Sequence, residues 1–275
     1  MPKGRDKVLP GVRANPGLAA EYRKRLDRLI QEMHKSTVYW LLAAYRKNTP
    51  AITDVDPADG PLAMDEAAAD TLRKTMAGLA RRWTSRFDDG AEKLAAWFAQ
   101  AAGKRSDAQL RAILKNAGFA VEFRMTAAQR DIISATVKAN TALIKSIPVQ
   151  YLGQVEQSVM RSVQVGRDVG GLAKELETHF GVTKRRAQLI SRSQNELATG
   201  ALNRARQLEM GITEAIWCHS HGGKKPRPSH VKAGSEKQVY DVEKGWWDPD
   251  EQQFILPGQL INCRCFSRSI IKSFA

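Results

Sequence analysis

The sequence has 275 residues, 43 Lys and Arg against 29 Asp and Glu, and a formal net charge of +14. With 43% hydrophobic residues and no apolar run approaching the ~20 residues that cross a bilayer, it predicts a soluble globular chain with no membrane span. Three cysteines are an odd count, and the basic start MPKGRDKVLPGVRANPGL lacks the apolar stretch of a secretory leader. Reduced thiols and synthesis in a cytoplasm are therefore expected, not a disulfide-stapled secreted domain.

The charge points to polyanionic partners, nucleic acid first among them, and it is unevenly spread. Residues 1–47 hold 11 Lys or Arg and 4 Asp or Glu, whereas 51–70 hold 6 acidic residues and no basic one. Across 18–47, Tyr22, Leu26, Leu29, Ile30, Met33, Val38, Leu41, Leu42 and Tyr45 recur at helical spacing. Residues 1–50 thus read as a basic helical arm, and 51–70, with its prolines and glycine, as an acidic linker.

Residues 71–212 predict a helical body. Leu72, Met76, Leu79, Trp83 and Phe87 step by four, three, four and four along a second helix, which Asp88, Asp89 and Gly90 are expected to break or bend. Ser106 suits the cap of a helix closing on Gly118, and Thr126 with Gln129 suits a capping box for the next. Pro148 is expected to interrupt that helix, after which Tyr151, Val155, Val159 and Val163 share one face. A further helix should stop at Gly181, and Thr183 should cap the last, which ends at Gly211.

After Gly211 the period changes. EAIWC, QVYDV and EQQFIL are short strand candidates, and CRCFSRSII alternates over nine residues. That alternation places Cys263, Cys265, Ser267 and Ser269 on one side and Arg264, Phe266, Arg268 and Ile270 on the other. The fold class is therefore mainly α: a helical body with a small, loop-rich α+β module over 213–275.

All three cysteines and three of five histidines fall in that module. Thiolate and imidazole are the donors that tetrahedral zinc prefers, so Cys218, His221, His230, Cys263 and Cys265 are candidate metal ligands. The alternative is that the cysteines pack as small apolar residues, since paired Cys-x-x-Cys knuckles are absent. A catalytic thiol has no Cys-His-Asn set legible from spacing. The loop HGGKKPRPSH offers glycines with Lys224, Lys225 and Arg227, either to clamp a phosphate or simply as a solvated turn. Arg23, Lys24, Arg25 and Arg28 on the first helix, and Lys184, Arg185 and Arg186 with Arg192, Arg204 and Arg206 on the last, are either DNA-binding or ordinary solvated faces. Trp246 and Trp247 suit base stacking, a core, or a contact with a partner chain. No G-x-x-x-x-G-K-[ST] loop and no dinucleotide fingerprint occurs.

In order along 151–267 come the helices from VQYLGQVEQ to RQLEMGI, Trp217, RPSH, QVYDV and the closing PG…INCRC at 257–265. This series resembles the phage Mu-type minor head protein family, also called the phage head morphogenesis domain. Many relatives carry Cys-x-x-Cys where this chain has Arg227 to His230, and His-Pro where it has Leu260 and Ile261. Those departures remove ligands that a relative might use, which weighs against a metal and favours a structural role for the closing strand. The resemblance implies a non-enzymatic minor component of a tailed-phage head, located in the virion at the portal vertex or capsid interior after assembly in the host cytoplasm. It implies the portal and other head proteins as partners, with sequence-independent DNA contact and neither membrane nor small-molecule substrate. No cofactor is required by it, zinc being the one candidate. The competing class is a metal-dependent or toxin-like enzyme acting on nucleic acid.

Overall fold

Asn15 and Pro16 open the first long helix, α1 (Pro16–Lys47). The Leu18 amide donates to Asn15 Oδ1 at 3.0 Å, and proline at the first helical position gives up an amide with no intrahelical acceptor. Leu18, Tyr22, Leu26, Ile30, Met33, Leu41 and Tyr45 form its buried stripe, as their spacing predicts. The computed structural model describes residues 6–47, 62–164, 169–223 and 225–272.

The second helix, α2 (Leu62–Asn116), is longer than expected. It starts within the acidic stretch, of which 51–61 lie outside the described residues. No break occurs at Asp88, Asp89 and Gly90. Phe87, Ala91, Ala95 and Phe98 are all buried and step by four, four and three, so continuing the helix keeps the stripe intact and outweighs the ~1 kcal/mol penalty of a helical glycine. Ser106 is likewise not a cap: it is buried in mid-helix, in line with Ala102, Leu110 and Leu114. The predicted end at Gly118 is present. Its φ is 90°, with the Phe119 amide on the Leu114 carbonyl (2.9 Å) and the Gly118 amide on that of Lys115 (3.0 Å), the bond pair that closes a helix on a left-handed residue.

The third helix, α3 (Ala127–Gln164), opens on Thr126, whose Oγ1 accepts from the Gln129 amide at 3.3 Å. The Gln129 side chain does not complete the reciprocal box; it donates to the Leu202 carbonyl at 3.1 Å. Pro148 lies buried inside α3 and does not end it. The loss of a helical bond, ~3 kcal/mol, is offset by the buried row of Ile144, Ile147, Tyr151, Val155 and Val159 that the helix carries across it. The fourth helix, α4 (Val169–Glu209), runs through the expected stop at Gly181 and cap at Thr183 for the same reason. Thr183 is buried, and its hydroxyl donates to the His179 carbonyl at 2.8 Å. Gly211 (φ 70°) closes α4, with the Ile212 amide on Gln207 (2.8 Å) and the Gly211 amide on Leu208 (3.0 Å).

Four strands form an antiparallel sheet in the order β1 (Lys7–Val8), β6 (Phe266–Ile271), β2 (Glu214–Cys218), β3 (Val239–Asp241). A separate hairpin joins β4 (Trp246–Asp248) to β5 (Gln253–Ile255). EAIWC, QVYDV and EQQFIL thus contain strands as predicted, but CRCFSRSII pairs only from Phe266 onward. The strand at Trp246 was not foreseen, nor was β1, which pairs Lys7 with Ile271 and Val8 with Ile270. A short helix, α5 (Pro228–Ser235), replaces the end of the expected HGGKKPRPSH loop.

The chain divides into two compact units, each discontinuous in sequence: Met1–Tyr22, Lys93–Asn140 and Leu189–Ala275; and Arg23–Glu92 and Thr141–Gln188. In the second, His34 is buried with Nδ1 2.8 Å from the Tyr151 hydroxyl and Nε2 3.1 Å from Glu177, its ring stacked on Phe180. In the first, α4 supports the sheet through polar contacts. Asn203 donates to Ser267 Oγ (3.2 Å) and Gln207 to Ser269 Oγ (2.8 Å), which explains serines on the inward side of β6.

Candidate functional site

Helix α5 delivers His230 to the interior. Arg227 occupies the N-cap with extended backbone and Pro228 the first turn, and Ser229, His230 and Ala233 form the buried face. Gly234 lets α5 approach β2: a Cβ there would lie 2.5 Å from that of His219. His230 Nε2 is 3.1 Å from Asp248 Oδ2, on β4, and that carboxylate is fully buried. Asp248 Oδ1 accepts from the Asp250 amide at 3.0 Å. With Nε2 bonded to the carboxylate, Nδ1 is left to face two sulfurs, Cys263 Sγ at 3.5 Å and Cys265 Sγ at 3.6 Å.

The two cysteines are brought there by the turn that precedes β6. The Pro257 carbonyl sits where a Cβ on Gly200 of α4 would be 2.7 Å away. Gly258 adopts φ 84°, and a Cβ on it would stand 3.0 Å from the Glu196 carbonyl. Asn262 takes φ 62°, a conformation Asn tolerates better than most residues; its amide donates to Ser193 Oγ at 3.2 Å and its side chain accepts from Arg192 at 2.5 Å. Gly258 and Asn262 of PG…INCRC thus hold the turn close against α4. Cys263 and Cys265 precede the paired strand yet keep its alternation, both buried on the side of Ser267 and Ser269.

The sulfurs sit among N–H donors. The amides of Cys265 and Gly258 bear on Cys263, and the Trp217 indole and the Ser220 amide bear on Cys265. Trp217 is fully buried and its Nε1 has no conventional acceptor. The thiols interact as a pair: the hydrogen bond from Cys265 draws Cys263 below the ordinary thiol range, and that same bond, with burial, pushes Cys265 above it. Burial, followed by the charge of Cys263, pushes Glu196 on α4 up to about 7.

The cluster opens onto a groove of about 600 Å³ whose walls include Arg192, Lys225, Arg227 and Arg264 beside His219. Of the five predicted ligands, His230, Cys263 and Cys265 converge, their donor atoms all within 4.8 Å of one another. Cys218 does not join them: its sulfur lies 3.8 Å from the Ile216 carbonyl, and burial raises its pKa. His221 is exposed at φ 57°, its ring against that of His219.

The cationic candidates are scattered. Arg23 pairs with Asp27, while Lys24, Arg25 and Arg28 are exposed on α1. Lys184 lies over the Phe180 ring, Arg185 is exposed, and half-buried Arg186 donates to Ser146 Oγ at 2.8 Å. Arg204 binds the Val242 and Glu243 carbonyls, and Arg206 is buried between Asp107 and Glu209. Lys225 is exposed, Arg227 is held by Glu251 and the Ile261 carbonyl, and Lys224 lies outside the described residues. Trp246 packs on Trp217, whereas Trp247 is half-exposed beside Phe254. Sequence reasoning missed Asp248 and Glu196. An acidic residue among the others of WWDPDE, or on a charged helix, carries no local mark of the partner that folding brings to it.

Comparison with known proteins gives three findings. Residues 153–268 match the family described as "Phage Mu protein F like protein". An uncharacterised protein of Haemophilus influenzae is 28% identical over 245 residues, covering 85% of this chain and 53% of that protein. The chain therefore spans about half the length of the curated relative it matches. No solved structure matches.

Proposed function

We propose that this protein is a minor head-morphogenesis component of a tailed phage, acting at the portal vertex and on packaged DNA during head assembly, packaging or ejection. The observation that carries the reading is the family match over 153–268, which contains α4, β2, α5 and the cysteine-bearing turn. The mode of action is binding. Exposed cations such as Lys24, Arg28 and Lys225 supply salt-sensitive attraction to phosphate without sequence preference. A groove of about 910 Å³ along α1, lined by Val38, Tyr39, Leu42 and Phe180, supplies apolar surface for a head protein, and Tyr39 and Trp40 are exposed beside it. Among the described residues no helix is long and apolar enough to cross a membrane.

The test is to delete the gene from the phage that encodes it and to analyse purified particles. The expected result is that the chain is found in wild-type particles and that deletion yields heads that are malformed or poorly filled. Particles that assemble, fill and infect normally without it would overturn the reading. One observation favours a second reading, an enzyme acting on nucleic acid: the buried His230–Cys263–Cys265 cluster opens onto a cationic groove. Turnover of DNA or RNA by the purified chain, abolished in His230→Ala, would establish it.

A further inference from the structure

We propose that His230 Nδ1, Cys263 Sγ and Cys265 Sγ hold one zinc ion that pins α5 to the turn preceding β6, with the fourth coordination position facing the groove. Zinc–sulfur and zinc–nitrogen bonds of ~2.3 and ~2.0 Å at a tetrahedral angle place N and S about 3.5 Å apart. The observed separations are 3.5 and 3.6 Å. Both nitrogen–sulfur separations thus fit one tetrahedral ion, and the three donors, from two segments more than thirty positions apart in sequence, lie within 4.8 Å of one another.

The surroundings point the same way. Asp248 fixes the imidazole so that Nδ1 presents its lone pair to the sulfurs, the carboxylate–histidine pairing that orients metal-bound imidazole. The buried Trp217 N–H, without a conventional acceptor, and the backbone amides of Ser220, Gly258 and Cys265 suit a pair of sulfurs that both carry negative charge. A nucleophilic thiol fits less well: Cys263 and Cys265 are only 4% and 5% exposed, and both sulfurs address a single ring nitrogen. Trp217, Tyr240 and Ile255 pack around the cysteines, so an ion there joins the core of a module otherwise rich in loops.

The test uses the full chain purified without chelator or metal-affinity tag, with metal content read by mass spectrometry. One zinc per chain is expected, falling to background in Cys263→Ser and Cys265→Ser and retained in Cys218→Ser. Asp248→Asn, which alters a positioning residue, should weaken zinc affinity about 10- to 100-fold while leaving stoichiometry at saturation unchanged. Should the serine variants fail to fold, cobalt exchange into the wild-type chain decides the matter: tetrahedral ligand-field bands with thiolate-to-cobalt charge transfer are expected. A wild-type chain that holds no zinc and gives no such spectrum overturns the proposal, as does full zinc retention in the double serine variant. None of these readouts depends on the role of the protein in phage heads.

Discussion

Arg206→Met is expected to destabilise the chain by about 3 kcal/mol. In the folded state the guanidinium is 3% exposed and makes a two-pronged contact with Asp107, Nε to Oδ1 at 2.9 Å and Nη2 to Oδ2 at 2.7 Å. Nη1 adds bonds to Glu209 (2.8 Å) and to the Arg124 carbonyl (2.9 Å), and the group lies over the Phe123 ring. Methionine replaces the stem but leaves two carboxylates facing each other and a carbonyl without its donor. Removing one side of a buried pair costs about 3–5 kcal/mol. Asp107 and Glu209 are 24% and 25% exposed, so water reaches them and the lower end applies. Asp107→Asn keeps Glu209 as counter-ion and should cost about 1–2 kcal/mol. The carboxylate-free combination Arg206→Met, Asp107→Leu, Glu209→Gln should recover most of the loss, because the penalty lies in the uncompensated charges. The assay is urea denaturation at neutral pH followed by far-ultraviolet circular dichroism. An Arg206→Met effect under about 1 kcal/mol, or strict additivity of Arg206→Met with Asp107→Asn, would refute the reasoning.

Glu196→Gln should show a pH-dependent gain in stability. The wild-type carboxyl is pushed up to about 7 against its usual 4.5, so between those values only the folded chain keeps the proton and wild-type stability falls as pH rises. The advantage of the variant should therefore grow from near zero at pH ~4.5 to somewhat under ~3 kcal/mol at pH ~8; denaturation curves at the two pH values check it, and a pH-independent difference contradicts it. Gly258→Ala puts a Cβ 3.0 Å from the Glu196 carbonyl at φ 84° and should cost about 1–2 kcal/mol or more. Gly223→Ala, with nothing nearer than 3.9 Å, should stay within about 0.5 kcal/mol in the same melts. Gly11→Ala places a Cβ 2.3 Å from the Phe266 ring; a loss of about 1–3 kcal/mol is expected, with faster hydrogen exchange at Leu9, whose amide bonds the Ser269 carbonyl.

Helical periodicity was a sound guide to which faces are buried and a poor one to where helices stop. The stripes on α1 and on the first part of α2 are present, and Gly118 and Gly211 end helices because no residue with a Cβ takes positive φ as cheaply. Asp88–Gly90, Pro148 and Gly181 carry local signals for a stop and Ser106 and Thr183 for a start, and all lie inside continuous helices. In each case a buried row of side chains continues in register past the signal, and burying several apolar groups outweighs a penalty of one to three kcal/mol.

For the site, sequence alone determined that Cys263 and Cys265 share a side, since alternation in extended backbone is a local property. Which histidine meets them was not a local matter. His230 rather than His221, and Asp248 behind it, follow from α5 docking on β2 and from the β4–β5 hairpin closing beneath Trp217. Contacts between residues 18 and 35 positions apart are set by how the elements pack. That packing is governed by the summed burial of many side chains and leaves no signature in any single stretch of chain.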